Sequence, residues 1–388
     1  MTSADTPGPA EPADPVVRAL LDVDGISAAP DATLAELTTL RIGGRPRALL
    51  ECATAEAVIA AVRELDAAQR PALVLGGGSN LVVAGGDLDL VVVAVRNRDL
   101  QYSDAAGDAA AAGEHLIVRA GAGLTWDDLV ADTVERGCGG LECLSGIPGS
   151  VGATPVQNVG AYGVEVAQVL HRVRWYDRAT GRDEWVTPDA LELAYRTSVL
   201  KNTDRAVVLE VEFRLTPAGR SEPIRYAELA GRLGVEPGER ADAATVRRTV
   251  LELRRGKGMV LDDDDNDTWS AGSFFTNPVI RDEVLPEVRN RVAKKLGDAP
   301  AGQMPAFAAP GGTKLSAGWL IERAGFGKGY PSSSSPARLS TKHTLALTNR
   351  GAATADDVIA LARDVRDGVR EAFGVELHPE PVWIGCSI

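Results

Sequence analysis

The sequence predicts an α+β protein with mixed sheets that is divided into several lobes. At 388 residues the chain exceeds the roughly 250 to 300 residues that a single core usually supports. Its hydrophobic share of 45% and charged share of 24% are those of an ordinary globular protein. Short apolar runs bounded by glycine alternate with long segments of helical period, which is typical of mixed folds rather than all-helical or all-strand ones.

The N-terminal part of the chain predicts a helix followed by strands. Residues 1–17, rich in Pro, Ala and Asp and without apolar periodicity, are predicted to be a disordered tail. Val58, Ile59, Val62 and Leu65 are spaced like one face of a helix. The apolar run Ala72 to Leu75, the loop G-G-G-S-N and the run L-V-V then predict a strand, a glycine loop and a second strand.

The middle and C-terminal parts continue this mixture of strands and helices. H-L-I-V-R-A and V-L-H-R-V-R-W-Y predict strands, and A-V-V-L-E-V-E-F-R-L alternates like a half-buried strand. Between them a helix is predicted with Thr125 as its N-cap. The last of three C-terminal helices is predicted to run from an N-cap at Thr354 to a C-cap at Gly374.

Charge and cysteine usage narrow the functional class. A net charge of -13 gives no general attraction for nucleic acid or an anionic membrane, so no such partner is expected. The four cysteines show no disulfide spacing, which favours a reducing cytoplasm. No secretory signal and no apolar run of about 20 residues is present in the sequence, so we expect a soluble cytoplasmic protein. The four histidines are scattered without ligand spacing, and we expect no metal site.

Two glycine-rich segments favour an extended nucleotide ligand. Gly76-Gly77-Gly78-Ser79-Asn80 can turn backbone N–H groups inward as a nest for an anion, although such a loop seen alone is as easily a hairpin turn. It is neither a dinucleotide fingerprint, since Leu81 occupies the third glycine position, nor a P-loop. The second segment, 144–165, is dense in glycine and proline and carries neutral polar groups that suit a polar ring.

Several motifs in order resemble those of one enzyme family. T-T-L-R-I-G-G, G-G-G-S-N, S-G-I-P-G-S-V-G, Q-N-V-G-A-Y-G, A-Y-R-T-S, A-G-S-F-F-T-N-P, K-L-S-A-G-W-L-I-E and H-P-E-P-V-W-I-G follow one another over nearly the whole chain after residue 30. They resemble the UDP-N-acetylenolpyruvoylglucosamine reductases (MurB) of peptidoglycan synthesis. Q-N-V-G-A-Y-G and Tyr226 are similar to the subclass that carries a tyrosine loop over the substrate.

The resemblance implies a fold, a domain division and a cofactor. It implies the FAD-binding fold of vanillyl-alcohol-oxidase type in two lobes, 18–98 and 99–258, with a substrate-binding domain at 259–369 and a return of 370–388 to the first lobe. It implies non-covalent FAD and NADPH as the reductant, with FAD contacts on the two glycine segments at Gly76, Gly77, Gly78, Ser79, Asn80, Leu81, Ser145, Gly146, Ile147, Pro148, Ser150 and Gly152.

The resemblance also implies the reaction and its catalytic residues. The enolpyruvyl double bond of a UDP-sugar is reduced to a D-lactyl ether, in cell-wall biogenesis that supports cell shape and division. Ser273 matches the family's proton donor, and Arg196 and Glu380 match the pair that stabilises the enolate. Read without the family, Ser273 is a turn serine capping a strand, Arg196 a solvated charge and Glu380 a strand-end residue.

Further residues resemble the family's substrate contacts, and one segment departs from its pattern. The contacts are Tyr162, Tyr195, Tyr226, Lys257, Asn277 and Lys314. Between Lys257 and Ser273 the chain carries an acidic run, Asp262 to Asp267, where many members have a shorter link. The run has EF-hand-like spacing at its start but lacks the required Gly and Glu, so a solvated loop is the better interpretation.

Two other functions stay open on the sequence. The chain could be a flavin-dependent alcohol oxidase of the same superfamily, or a non-catalytic nucleotide-binding protein that retains the fold. Reoxidation of the flavin by oxygen would favour the first, and failure to take up FAD would favour the second. A monomer is expected.

Overall fold

The computed structural model describes residues 14–104 and 115–388. The predicted N-terminal tail lies outside the described residues as far as residue 13. Helix α1, Pro15–Leu20, begins directly after it, because the Asp14 carboxylate accepts a hydrogen bond from Val16 N at 2.9 Å and Pro15 suits a first helical position. Val17 is completely buried. Residues 15–17, which were predicted to belong to the tail, are therefore part of a helix.

The first sheet has four strands, three of them parallel. Its order is β1-β2-β5-β3, with β1 antiparallel to β2. Helix α3 covers one face with Val58, Val62 and Leu65 completely buried, which confirms the predicted helical face. The elements are β1 Ile26–Ala28, α2 Leu34–Leu37, β2 Arg45–Cys52, α3 Ala55–Ala67, β3 Ala72–Leu75, β4 Leu81–Val83 and β5 Asp87–Val95.

The second sheet has five antiparallel strands in the order β11-β10-β12-β7-β6. Its inner face shares one hydrophobic core with α1, α3 and the inner face of the first sheet. The elements of this region are β6 Leu100–Asp104, β7 Leu116–Gly121, α4 Trp126–Glu135, β8 Gly160–Ala161, β9 Val164–Glu165, β10 Leu170–Asp177, β11 Arg182–Val186, β12 Ala206–Leu215, α5 Ala227–Leu233 and α6 Ala243–Gly256. Thr125 is the N-cap of α4 as predicted, but its side chain makes no capping hydrogen bond.

Strand β12 is more buried than its alternating sequence predicts. It is the central strand of the second sheet, between β10 and β7, and seven of its ten residues are buried. One of these is Glu212, whose carboxylate pairs with Arg119 at 2.7 Å and with Arg172. The expectation of a half-buried strand was wrong. The alternating sequence assigns Glu212 to the solvent-exposed face, but the ion pairs with the two arginines satisfy its charge and allow it to be buried.

The C-terminal region has its own core, and its last strand pairs with β4 of the N-terminal region in a separate two-stranded sheet. Its elements are β13 Val279–Ile280, α7 Leu285–Leu296, α8 Asp298–Gly302, β14 Ala306–Ala309, β15 Gly312–Leu315, α9 Ala317–Ala324, β16 Ala337–Leu339, β17 Leu347–Asn349, α10 Ala355–Phe373 and β18 Val382–Ile384. Thr354 caps α10 and Gly374 ends it at φ 72°, both as predicted. Strand β18 pairs in parallel with β4, which brings the H-P-E-P-V-W segment beside the glycine loop. Within the described ranges no helix is long and apolar enough to cross a membrane.

Candidate active site

The two glycine segments touch each other. A Cβ added to Gly77 would lie 2.6 Å from Gly149 Cα, and one added to Gly76 would lie 2.3 Å from Ser150 Oγ. Gly78 has φ +61° and packs against the backbone carbonyl of Leu37. Larger residues at these positions would force the two segments apart. The absence of side chains at Gly76 and Gly77 therefore allows the backbones of the two segments to pack in direct contact.

The surface formed where these segments meet suits FAD. No hydrogen bond joins the backbone N–H groups of 76–80 to other residues in the described part of the chain. Ser150 Oγ is buried there, also without a partner among described residues. Free N–H groups in a glycine turn form a nest for a pyrophosphate, and the unpaired hydroxyl offers a further polar contact. The residues present thus fit the predicted cofactor.

Some predicted FAD contacts are occupied by the protein itself. Ser145 Oγ donates to Glu142 O at 2.6 Å, and Gly152 is held against Ala122 by the hydrogen bond from its N–H to Ala122 O at 2.9 Å. These two residues shape the segment, whereas Ile147 and Pro148 stay partly exposed beside it. The predicted roles of all these residues in FAD binding remain predictions.

A pocket of about 210 Å³ opens next to the glycine segments. Its wall combines aromatic, cationic and hydroxyl groups from the β8–β9 hairpin, the start of helix α5, the end of helix α6 and the C-terminal region. The lining residues are Gly160, Ala161, Tyr162, Tyr226, Arg254, Lys257, Met259, Ser273 and His343. Four of the predicted site residues, Tyr162, Tyr226, Lys257 and Ser273, meet here.

Ser273 is held in the pocket wall by its neighbours on both sides. Gly272 has φ +73°, and Gly272 N donates to Ser270 Oγ at 3.2 Å in a tight turn. The next residue, Phe274, is completely buried, and its N–H donates to Leu345 O at 2.8 Å. A Cβ on Gly272 would meet nothing within 4 Å, so the glycine is required for the positive φ of the turn and not for close packing against other protein atoms. Ser270 is a residue of the same turn.

Arg196 and Glu380 form an ion pair beside this pocket. Arg196 Nε lies 3.7 Å from Glu380 Oε1, and Arg196 Nη2 donates to the carbonyl of Gly160, a pocket residue, at 2.6 Å. Glu380 N donates to Phe274 O at 2.9 Å, so Glu380 is fixed to the residue that follows Ser273. Three segments far apart in the chain thus bring Ser273, Arg196 and Glu380 together.

Burial favours the protonated form of Glu380. Its side chain is 12% exposed. Burial raises the pKa of Glu380 above its usual value, although the positive charges of Arg196 and Lys201 act to lower it. A carboxyl group in this state can donate a hydrogen bond.

The remaining predicted substrate contacts lie on two sides of the site. Tyr195 lies between two cations, with the Arg196 guanidinium 5.2 Å and Lys314 Nζ 5.3 Å from its ring centre. Asn277 is partly committed elsewhere, because its Oδ1 accepts a hydrogen bond from Ala317 N at the start of α9. Of these three, Tyr195 is the most exposed at 41%.

Lys257 and the two pocket tyrosines make contacts of their own. The Lys257 ammonium donates to Glu228 Oε2 at 2.9 Å; burial acts to lower its pKa, but Glu228 raises it overall. The rings of Tyr162 and Tyr226 meet edge to face at 5.4 Å. Burial raises the pKa of Tyr162, which keeps its hydroxyl protonated as a donor.

Three basic residues of the site were missed in the sequence. Arg254 Nη2 donates to Met259 O and Gly146 O, and Arg254 Nε is buried without a partner among described residues. His343 lines the pocket, and burial followed by the charges of Lys257 and Lys328 lowers its pKa to about 4. Lys201 Nζ donates to Arg196 O at 3.0 Å. The motif R-R-G-K-G pointed to the region of Arg254, but an isolated basic residue is normally taken as solvated.

The acidic run is only partly the solvated loop that was expected. Asp262, Asp263 and Asp264 are exposed, but Asp267 is 5% exposed. Asp267 accepts hydrogen bonds from Thr341 N and Arg350 Nη1, each at 2.9 Å. Within the described ranges, no group of three or more His, Cys, Asp or Glu residues is placed to hold a metal ion.

A larger cavity, of about 410 Å³, lies away from these residues. His115, His171, Arg214 and Glu222 are among its lining residues, and none of the predicted site residues belongs to it. The smaller pocket is therefore the candidate active site.

Comparison with known proteins identifies both halves of the chain. Residues 46–187 match the model of an FAD binding domain, and residues 264–384 match the C-terminal domain of UDP-N-acetylenolpyruvoylglucosamine reductase. The FAD-binding match and the mixed sheets confirm the expected fold and cofactor.

Similar proteins of the same name cover nearly the whole chain. UDP-N-acetylenolpyruvoylglucosamine reductase of Mycobacterium sp. (strain MCS) is 56% identical over 95% of this chain and 99% of its own. The UDP-N-acetylenolpyruvoylglucosamine reductase of Nocardia farcinica is 57% identical over 96% of this chain and 94% of its own. A crystal structure of UDP-N-acetylenolpyruvylglucosamine reductase (MurB) from Thermus caldophilus, at 24% identity, covers 92% of this chain and 99% of its own with a TM-score of 0.61, and supports the fold. The chain belongs to the UDP-N-acetylenolpyruvoylglucosamine reductase family, as the ordered motifs had indicated.

Proposed function

We propose that this chain reduces UDP-N-acetyl-3-O-(1-carboxyvinyl)-glucosamine to UDP-N-acetylmuramate with NADPH, in the synthesis of peptidoglycan precursors. The observation that carries the proposal is the convergence of Ser273, Arg196 and Glu380 beside one pocket that adjoins the glycine segments. The residues come from three separate family motifs, and both backbone and side-chain contacts of the protein bring them together.

The reaction needs a hydride, an electron sink and a proton. FAD, when bound at the two glycine segments, would supply the hydride chemistry, with NADPH as the source of the hydride and the terminal carbon of the enolpyruvyl group as its acceptor. The π electrons of that double bond then move towards the attached carboxylate, so negative charge develops there as an enolate. The residues of the pocket stabilise this charge and supply the proton.

Arg196 and Glu380 are the proposed stabilisers of the enolate. The guanidinium is held by Gly160 O at 2.6 Å and keeps a permanent positive charge near the substrate carboxylate. The raised pKa of Glu380 favours the protonated carboxyl, which donates a hydrogen bond to the developing charge. Both groups are fixed before the substrate arrives, so little reorganisation is needed during the reaction.

Ser273 is the proposed proton donor. Its hydroxyl proton passes to the carbon that bears the carboxylate, which completes the addition of hydride and proton across the double bond. Phe274 and Phe275, both nearly completely buried, form an apolar support behind the serine. His343, neutral at physiological pH because its pKa is about 4, lies in the same pocket wall.

The cationic and aromatic rim suits a nucleotide sugar. Lys257 and Lys314 provide point charges for a diphosphate, and Tyr162, Tyr195 and Tyr226 offer ring faces and hydroxyl donors. Arg254 adds a buried guanidinium between the pocket and Gly146. We further propose that the enzyme works as a cytoplasmic monomer, since no part of this site requires a second chain.

Anaerobic stopped-flow measurement of flavin absorbance tests the proposal directly. NADPH should bleach the flavin of the purified holoenzyme, and the enolpyruvyl nucleotide should then restore it. In Ser273→Ala, reduction by NADPH should stay near normal while reoxidation slows by about 100-fold or more, in the range found when a general acid is removed. Ser27→Ala, an exposed serine of β1, is the matched control.

Three outcomes would count against the proposal. If Ser273→Ala slows flavin reduction by NADPH and reoxidation by the enolpyruvyl nucleotide equally, Ser273 is not the proton donor. Rapid reoxidation by oxygen, with no turnover of the enolpyruvyl nucleotide, would favour the alcohol oxidase. A wild-type protein that takes up no FAD would favour the non-catalytic alternative.

A further inference from the structure

We propose that Lys201 is a positioning residue for the pair formed by Arg196 and Glu380, fixing the turn that carries Arg196 and placing a second positive charge beside Glu380. The proposal rests on the function proposed above and names a further residue of that site. Lys201 is not among the site residues predicted from the sequence.

The first argument is the conformation of Arg196. Its φ is +55°, in the left-handed region that residues with a side chain rarely occupy. The turn is closed by only two backbone hydrogen bonds, between Ala194 and Thr197 in both directions at 3.1 and 3.2 Å. A strained residue stays in place only where its surroundings hold it.

Lys201 supplies that support from the far side of the turn. Its ammonium donates to the backbone carbonyl of Arg196 at 3.0 Å. At the other end of the same residue, the guanidinium is tied to Gly160 O at 2.6 Å. Arg196 is therefore fixed at its backbone by Lys201 and at its head group by the pocket wall.

The second argument is the charge that Lys201 places near Glu380. Burial lowers the pKa of Lys201, whereas the charge of Glu380 raises it; the same pair acts in reverse to lower the pKa of Glu380. Within the described residues, the charges acting on Glu380 are those of Arg196 and Lys201. The other segments packed against it contribute neutral groups, the amide of Asn80 and the backbone of Phe274.

These two arguments give Lys201 two separable functions. The hydrogen bond to Arg196 O holds the geometry, and the charge sets how readily Glu380 gives up its proton. Loss of the charge alone should raise the pKa of Glu380, because one of two opposite charges that favour its ionised form is removed. Loss of the hydrogen bond should disorder the turn and slow the chemical step.

The two functions are separated by three substitutions. Lys201→Arg keeps both charge and donor, Lys201→Gln keeps a donor without charge, and Lys201→Met keeps neither. Lys295→Met, the same change at an exposed position of α7, is the matched control. Circular dichroism of each holoenzyme first establishes that the variant is folded.

The direct measurement is an NMR titration of the Glu380 carboxyl carbon in glutamate-labelled protein, assigned by its absence in Glu380→Gln. We expect the pKa of Glu380 to rise in both Lys201→Gln and Lys201→Met, and to stay close to the wild-type value in Lys201→Arg and Lys295→Met. Reoxidation by the enolpyruvyl nucleotide should slow about tenfold or more in Lys201→Met and less in Lys201→Gln. If protonated Glu380 is the active form, the fall in rate at high pH moves to higher pH in both.

The outcomes separate this proposal from the proposed function. If the pKa of Glu380 is unchanged in Lys201→Gln and Lys201→Met, the proposed effect of the Lys201 charge on Glu380 is refuted. If Lys201→Met and the wild type are reoxidised at equal rates, the proposed role of Lys201 in positioning Arg196 is refuted. The titration needs no substrate. A wild-type enzyme that fails to turn over the nucleotide would sink the proposed function while the titration still decided the role of the charge.

Discussion

Replacing Asp267 by alanine should destabilise the protein strongly, although Asp267 lies in a run that looks solvated. The side chain is 7% exposed, and its carboxylate accepts three hydrogen bonds, from Thr341 N, Thr341 Oγ1 and Arg350 Nη1. Truncating one partner of a buried ion pair costs about 3 to 5 kcal/mol. Because the Arg350 side chain is 21% exposed and can recover part of its hydration, we expect the lower end, about 3 kcal/mol.

The assay is urea unfolding of the holoenzyme with circular dichroism as the signal. Asp264→Ala, in the exposed part of the same run, is the matched control and should change the free energy of unfolding by less than about 0.5 kcal/mol. Asp267→Asn keeps the volume and one acceptor, so its loss should be intermediate. A loss below about 1 kcal/mol in Asp267→Ala would refute the reasoning, since the buried hydrogen bonds would then be worth no more than exposed ones.

The pH dependence of this effect has a definite sign. Burial acts to raise the pKa of Asp267, but hydrogen bonds from Thr341 and the charge of Arg350 hold it below its usual value. A carboxylate whose pKa is depressed in the folded state stabilises that state above its unfolded pKa, about 3.9, and loses this contribution as the pH falls through the folded pKa. The difference in stability between wild type and Asp267→Asn should therefore be full at pH 7 and shrink below about pH 4. A difference that stays constant into strong acid would contradict the assignment.

Two further predictions concern the cofactor surface and the thiols. Gly77→Val should lower the flavin content of the purified protein, because an added Cβ would lie 2.6 Å from Gly149 Cα. The control Gly85→Val, at a position with open space around it, should leave the flavin content unchanged. A normal flavin content in Gly77→Val would show that the loop is not part of the cofactor site. Cys386 is partly exposed and should be the thiol that a thiol reagent modifies first in the native protein. Burial raises the pKa of Cys52 to about 12 and that of Cys143 further still, which makes both less reactive. The fast labelling signal should be lost in Cys386→Ser, and fast labelling of two or more thiols in the wild type would contradict the prediction.

Local patterns predicted the elements that depend on local energetics. The buried face of α3 follows from apolar residues at helical spacing, and the ends of α10 follow from a hydroxyl cap at Thr354 and a left-handed glycine at Gly374. These interactions lie within a few residues of each other, so the sequence displays them directly. The burial of β12 did not follow, because the partners of Glu212 belong to neighbouring strands.

The candidate site was predicted from the order of several family motifs along the chain. The residue types at the individual positions would not have predicted it. Ser273, Arg196 and Glu380 are ordinary residues when each is considered alone. Their proximity depends on the hydrogen bond from Glu380 N to Phe274 O and on the pairing of β18 with β4. Lys201 and His343 were missed for the same reason. Whether a basic residue is solvated or turned inward depends on tertiary contacts that its neighbours in sequence do not reveal.

The acidic run shows how a departure from the family pattern can still preserve the site. Asp263 pairs with Arg41, which precedes the first sheet's second strand, and Asp265 pairs with Lys342 in the loop that also carries His343. Together with Asp267, these contacts fix the chain immediately before Ser273 to two different parts of the molecule.

Beyond Ser273 the chain is fixed again, by Phe274 N to Leu345 O and by Glu380 N to Phe274 O. A longer connection between Lys257 and Ser273 would ordinarily increase the freedom of the serine, because each added residue must be ordered at an entropic cost. Here the added residues carry the charges that anchor them. Ser273 therefore lies between two fixed points, with residues 268–272 between it and Asp267. The longer connection does not by itself loosen the position of the Ser273 hydroxyl.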